Sequence, residues 1–468
     1  LCSSAQLFPA FVAFWYSEGA LIYNFLLTFL ITLFSGLILY ILSVKDRNDL
    51  RTRDGFIITV FFWTVLALFG SLPIILASIE KISVIDSLFE SISALTTTGA
   101  TVLTGLDEMP KSLLFYRQLL QWLGGMGIIV LAVAVLPLLG IGGMQLYKAE
   151  TPGPLKGSKL TPRIMETAKA LWYVYLSMTV VCAVLYRTFG MTTFDAICHS
   201  FSTVAIGGFS THDQSFAYFP QAGIRYTAIV FMILAGVNFA LHFTAWSKKR
   251  LFHYFYDSEC RSYLGIMLLA FTITFTTIAY SSNHYSYETF EESLFQVVSI
   301  ATTTGFLSSN YAELPLFIPL LLLSVAFIGA CAGSTGGGIK VIRALILLKQ
   351  GAGELTKLVH PNSIVSIKIS QKPLNKRVSE SVWGFFSVYV LVFMILLLFL
   401  LAQGNNFITS FSAVGATLNN LGPGLGDVAN NYSALDNNSK LGLCLAMLLG
   451  RLEIFTLLVV FTPAFWRN

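Results

Sequence analysis

Charge is what this chain has least of. Of its 468 residues 11% are charged and 55% are hydrophobic, whereas a soluble protein of this length carries about a quarter charged residues. Most of the chain is therefore expected inside lipid. Cysteine pairs are also lacking. Cys2, Cys182, Cys198, Cys260, Cys331 and Cys444 are scattered without a CxxC pair, so they read as free thiols in or near membrane helices rather than metal ligands. No cluster of His, Asp or Cys gathers on one membrane face, which argues against a membrane-embedded enzyme. Residues 8–16 lack a basic leader and a cleavage site, so no cleavable signal is expected. Leu1 stands where a Met would open a complete chain, and earlier residues are expected to be missing. The net charge is +5, but the basic residues sit in loops. They read as orientation signals, not as a nucleic-acid surface.

What the chain does have is a short uncharged stretch stated four times. Thr96-Thr97-Thr98-Gly99 returns as Thr302-Thr303-Thr304-Gly305, and two weaker copies are Ala205-Ile206-Gly207-Gly208 and Asn419-Asn420-Leu421-Gly422. Thirteen residues before the four glycines, in chain order, stand Asp86, Asp195, Glu292 and Thr409. Each is suited to cap or favour a helix N-terminus. The segment between cap and glycine is apolar and long enough for a three-turn helix. Around it lie apolar runs of the roughly 20 residues that cross a bilayer: 21–43, 56–79, 112–139, 168–186, 226–246, 263–280, 314–348, 382–401 and 441–461. Residues 8–16 read as the end of a further span. The expected fold is thus an all-α integral membrane protein. Four pseudo-repeats of helix, pore helix, filter turn and helix surround a central pore, after two extra N-terminal helices. Residues 1–53 hold the leading helices, 54–146 the first repeat, 147–250 the second and 251–350 the third with a broken last helix. Residues 351–468 hold a basic cytoplasmic segment and the fourth repeat.

Basic and non-basic loops alternate. Residues 45–53, 147–163 (with Lys148, Lys156, Lys159 and Arg163), 248–250 and 340–377 are basic, whereas 281–313 and 404–439 contain no Lys or Arg. The positive-inside rule puts the basic loops and both termini in the cytoplasm and the four glycine turns outside. Non-helical backbone at membrane depth must line water or be buried in protein. Four such turns on one axis would present a ring of carbonyl oxygens able to replace a monovalent cation's hydration shell. The ligands would be main-chain oxygens of Thr97, Thr98, Ile206, Gly207, Thr303, Thr304, Asn420 and Leu421, with Gly99, Gly208, Gly305 and Gly422 supplying dihedrals closed to other residues. Side chains that differ so much between copies favour backbone ligation. The short helices would aim their partly negative C-termini at the ring.

Two more features stand out. The string Gly329-Ala330-Cys331-Ala332-Gly333-Ser334-Thr335-Gly336-Gly337-Gly338-Ile339-Lys340 interrupts an apolar span. So many glycines, each costing up to about 1 kcal/mol against alanine, make a continuous helix unstable, and a loop or a simple kink is expected. A phosphate-binding loop needs Lys directly after the last Gly, and Ile339 intervenes. The second feature is Arg451 within 441–461. Charge at mid-bilayer is functional by default, although an ion pair or snorkelling to an interface would also explain it. Glu453, two residues away on a helix, would not face it. Among weaker candidates, His199 reads as a buried hydrogen-bonding residue, and Lys340 as a helix-end cation or a contact to the loop.

On these turns, the glycine-rich string and Arg451, the chain resembles the Trk/Ktr/HKT superfamily of potassium transporters, and within it the bacterial TrkH type. The resemblance spans almost the whole chain, including two leading spans that the Ktr branch lacks. It implies potassium uptake across a bacterial inner membrane, with potassium (and rubidium) as substrate and no cofactor bound by this chain. It implies a gate below the filter, made of Gly333, Ser334, Thr335, Gly336, Gly337, Gly338 and Lys340, with Arg451 facing the pore as a positive barrier. A homodimer and a cytosolic TrkA-type nucleotide-sensing partner are implied too, and 340–377 and 147–163 are the expected contacts. The full set of glycines goes with potassium preference in that family. The missing threonines of the second and fourth turns suggest softer discrimination against sodium. The alternative is a secondary symporter with alternating access, which predicts an ionisable residue at the binding site. The four turns contain no acid.

Overall fold

In lipid each apolar run must satisfy its own backbone hydrogen bonds, so the long runs form helices. The computed structural model describes residues 2–43, 52–77, 82–130, 160–247, 249, 252–282, 285–315, 317–363, 366–370 and 372–467. The expected basic loop 147–163 lies largely outside them (Lys148, Lys156 and Lys159 included), as do most of loop 45–53 and the end of the 112–139 run. After α1 (Leu7–Trp15) and α2 (Gly19–Ser43), four sets of elements follow. The first is α3 (Thr52–Leu76), α4 (Val84–Leu95) and α5 (Lys111–Val130). The second is α6 (Leu160–Thr188), α7 (Thr193–Ala205), α8 (Ala222–Ala235) and α9 (Phe239–Ser247). The third is α10 (Ser258–Ser282), α11 (Tyr287–Ala301), α12 (Ile318–Ile328) and α13 (Val341–Val359). The fourth is α14 (Lys376–Ala402), α15 (Phe407–Leu418), α16 (Asn437–Arg451) and α17 (Phe455–Val460). A two-stranded antiparallel ribbon, Lys368–Ile369 with Lys372–Pro373, interrupts the basic segment. Apolar side chains such as Tyr23, Phe34 and Leu42 on α2, and Leu391, Ile395 and Leu398 on α14, face outward, as lipid-facing helices require.

The short helices α4, α7, α11 and α15 begin one turn earlier than the expected caps. Asp86, Asp195 and Thr409 are third residues of their helices. The caps are Ser83, Thr192 and Asn406, whose side chains accept from the N–H of Asp86, Asp195 and Thr409. Ser83 and Asp86 close a reciprocal capping box. In the third set the cap is Ser286 and α11 is a turn longer, so Glu292 lies inside the helix.

Five described helices are long and apolar enough to cross a membrane, or six if a bent pair counts as one span. The ten spans of the sequence reading are fewer by this measure because several are interrupted. The 226–246 run, read as one span, bends by 93° between α8 and α9. The backbone groups freed there find partners in the glycine-rich loop. Cys331 N–H donates to Gly236 O at 3.0 Å, Phe239 N–H to Gly333 O at 3.0 Å, and Thr335 Oγ1 to Ala235 O at 3.3 Å. The 441–461 run also breaks, at 452–454, where Glu453 and Ile454 take positive φ.

Candidate functional site

The four glycine turns share one backbone design. The residue two before each glycine has left-handed dihedrals: Thr97 (φ 51°), Ile206 (54°), Thr303 (65°) and Asn420 (52°). The glycines follow at φ 78°, 77°, 82° and 97°. In every turn the two N–H groups before the glycine point back into the short helix. Thr97 and Thr98 donate to Ala94 O and Ser93 O, and Ile206 and Gly207 to Thr203 O and Ser202 O. Thr303 and Thr304 donate to Ile300 O and Ser299 O, and Asn420 and Leu421 to Thr417 O and Ala416 O. With the donors turned inward, the carbonyls are left over. Among the described residues of the four turns, Gly207 O takes the Gln121 side-chain amide at 2.5 Å, Gly422 O the Tyr432 hydroxyl at 2.6 Å and Asn419 O the Gly338 N–H at 3.1 Å.

The turns also touch in cyclic order. A Cβ built on Gly99 would lie 2.2 Å from Gly207 O, one on Gly208 2.0 Å from Thr304 O, one on Gly305 2.1 Å from Leu421 O, and one on Gly422 2.7 Å from Thr98 O. Each glycine is thus packed on the carbonyl that precedes the next glycine, and the fourth closes on the first. Asn420 Nδ2 adds a bond of 3.0 Å to Thr98 Oγ1.

On one side the four glycines open into a cavity of about 450 Å³ lined also by Arg117, His212, Asp213, Asn430 and Tyr432. On the other side lies the glycine-rich loop. Gly337 N–H donates to Thr303 Oγ1 at 2.7 Å, Gly338 N–H to Asn419 O at 3.1 Å, and Thr335 Oγ1 to Val204 O at 3.1 Å. The loop therefore holds on to the end of the second short helix and to the third and fourth turns at once. Ser334 Oγ bonds Cys331 O at 2.6 Å and tightens the loop from within. Lys340 Nζ reaches back to Gly336 O.

Arg451 is buried, and its Nη1 donates to Thr335 O at 3.1 Å, while among the described residues Nε and Nη2 have no hydrogen-bond partner. The ion pair with Glu453 left open by the sequence is not made. Glu453 pairs with Arg343 at 2.7 Å. All twelve residues expected at the turns, and Gly333, Ser334, Thr335, Gly336, Gly337, Gly338, Lys340 and Arg451 beneath them, are thereby brought together. His199 is a buried hydrogen-bonding residue, between Asp195 O at 2.9 Å and Ser210 Oγ at 3.0 Å.

Sequence reasoning missed the pair that braces the first turn. Glu90 of α4 and Arg117 of α5 are buried and meet at 2.6 Å. Glu90 accepts from Thr101 Oγ1 and Val102 N–H just past Gly99, and Arg117 lies over the Phe209 ring just past Gly208. An acid and a base in the middle of adjacent, largely apolar segments were the available signal. Removing one partner of a buried pair costs about 3–5 kcal/mol. Arg117→Met is therefore expected to lower the unfolding midpoint sharply in detergent. Combining it with Glu90→Gln should cost less than the two single losses summed, as a shared interaction requires.

In the cavity wall His212 stacks on Tyr218 at 3.5 Å, with Nδ1 on Asp107 and Nε2 3.6 Å from Asp195. Burial pushes this imidazole's pKa down, but Asp195 and Asp107 outweigh it and raise the pKa above its ordinary value. Its stabilising contribution is full below the ordinary value of about 6.5 and is lost as pH rises through the raised one. The unfolding midpoint is expected to fall as pH rises above about 6.5, and His212→Asn should flatten that slope.

Residues 21–468 match the family model TrkH, described as a cation transport protein. This chain belongs to the TrkH family. It is 54% identical over 471 residues to the Trk system potassium uptake protein TrkH of Vibrio parahaemolyticus, covering 100% of this chain and 97% of that protein. It is 51% identical over 470 residues to TrkH of Escherichia coli K12, covering 100% and 97%. The crystal structure of the potassium transporter TrkH from Vibrio parahaemolyticus superposes with a TM-score of 0.91 at 52% identity, covering 99% of this chain and 96% of that one. TrkH members are transport proteins, not enzymes.

Proposed function

We propose that this chain takes up potassium across the bacterial inner membrane. The ion passes a filter of main-chain oxygens from Thr97, Thr98, Ile206, Gly207, Thr303, Thr304, Asn420 and Leu421, between Gly99, Gly208, Gly305 and Gly422. The observation that carries this reading is the closed cycle of glycine-on-carbonyl contacts. It brings carbonyls of neighbouring turns against one another while the amides before each glycine are engaged by the short helices, and a ring of carbonyl dipoles can substitute for water around an alkali cation. The short-helix C-termini add a favourable field. The names of the relatives, potassium uptake proteins, agree with it.

Beneath the filter the 333–338 segment is a gate, and Arg451 raises a positive barrier beside it. Among the described residues Arg451 forms no ion pair, so none of them cancels its field locally. With the basic loops inside, the cavity above the glycines faces out. Opening is controlled by a cytosolic TrkA-type ring that senses nucleotides and docks on 340–377 and 147–163, and the working unit is a homodimer. Residues 54–146, 147–250, 251–350 and 351–468 form the four quarters.

Rubidium uptake into liposomes holding the purified protein tests the proposal. Uptake that potassium competes away, and that ignores an imposed pH gradient, is the expected result. No uptake with the regulator present sinks the transport reading. Flux that follows the pH gradient would favour the symporter, for which the helix breaks at 236–238 and 452–454 are the supporting features.

A further inference from the structure

Both ends of the glycine-rich loop return to one side chain. Glu259, in the first turn of α10, is buried. Its Oε1 accepts from Ala332 N–H at 2.7 Å and from Ile342 N–H at 3.2 Å. Ala332 stands near the entry of the loop, and Ile342 is the second residue of α13, just past its exit. Between them the neck is laced by Ile339 N–H to Phe327 O at 2.9 Å, Lys340 N–H to Ile328 O at 3.0 Å and Val341 N–H to Ala330 O at 3.1 Å. Ile342 N–H belongs to the first turn of a helix, where amides have no intrahelical acceptor and a negative group is favoured. Among the described residues Glu259 forms no ion pair. Lys340, at the exit of the loop, spends its ammonium on Gly336 O. A carboxylate buried without a counter-charge is costly unless its hydrogen bonds are good ones, and here the Ala332 and Ile342 amides that donate to it belong to the two feet of the same loop.

We propose that Glu259 is a positioning residue of the gate: a clasp that fixes the distance between the two feet and so holds the loop beneath the filter. The proposal rests on the reading of 333–338 as a gate. It assigns the hinge to the α10 end of the third quarter, 73 residues before Ala332 in the chain. Movement of the loop out of the pathway requires one foot to leave Glu259. Loss of the clasp should raise leak without touching the filter.

The test is rubidium uptake by the full chain in liposomes without regulator. Glu259→Ala is expected to raise maximal uptake about tenfold, the equivalent of losing about 1.4 kcal/mol of closure. The rubidium KM and the potassium-over-sodium preference should not change. Glu259→Gln keeps an acceptor oxygen and should recover most of the closure. Glu259→Asp, one methylene shorter, should leak because it spans one foot only, and it serves if the alanine variant does not fold. Excision of 334–337 is run beside them. Wild-type leak in folded Glu259→Ala or Glu259→Asp, with raised leak in the excision, overturns the clasp and leaves the gate standing. Wild-type leak in all of them overturns the gate, and the clasp with it. A glutamine variant as leaky as alanine overturns the acceptor role.

Discussion

Gly99→Ser should weaken preference for potassium over sodium by about tenfold, a loss of about 1.4 kcal/mol. Two separate strains meet at this residue. Its φ of +78° lies in the left-handed region, which costs an L-residue roughly 1–2 kcal/mol. Its Cβ would also stand 2.2 Å from Gly207 O, so that carbonyl has to move. Gly207 O is one of the oxygens proposed to face the ion, and a displaced oxygen fits the smaller, more strongly hydrated sodium no worse than potassium. Gly105→Ser separates the two strains. Gly105 has φ +74° but nothing within 4 Å of a Cβ. It should lose stability and keep its selectivity. Competition of sodium against rubidium uptake reads both variants, and an unchanged preference in folded Gly99→Ser would sink the filter assignment.

Excising residues 334–337 should raise regulator-free rubidium flux by about tenfold or more. Three hydrogen bonds hold this segment to the turns or to Arg451 and disappear with it: Gly337 N–H to Thr303 Oγ1, Thr335 Oγ1 to Val204 O, and Arg451 Nη1 to Thr335 O. The excision spares Cys331 and Gly333, which serve the break between α8 and α9, and removes there the one bond from Thr335 Oγ1 to Ala235 O. A wider deletion would unmake that bend and confuse lost folding with lost gating. Arg451→Ala complements it. It removes the barrier charge but leaves the loop bonded to the turns, so its leak should be smaller than that of the excision. Flux at or below the wild-type level in the folded excision would remove the gate.

Much of this was legible because it is written locally. Glycine at a fixed distance after an apolar three-turn segment marks a turn wherever it falls, and a lone Arg451 in an apolar run marks a site. Caps were misplaced for a local reason as well. Asp86, Asp195 and Thr409 align, but as third residues, and the extra turn of α11 took Glu292 out of register with Ser286. The rest depends on partners far off in the chain. Gly236, Val237 and Asn238 look like part of a span, because the groups that replace the lost helix bonds lie near Cys331 and Gly333. The break at 452–454 contains neither Gly nor Pro. Glu259 reads as a helix-start acid until both its donors are known.

The cycle of four contacts has a consequence for how such a passage can change over generations. In an assembly of identical subunits one altered codon rewrites every side of the opening together. Here a codon rewrites a single side, and its neighbour on the next turn feels the change first. An oddity such as Asn420, bridging to Thr98, can therefore be acquired and kept while the other three sides stay as they were.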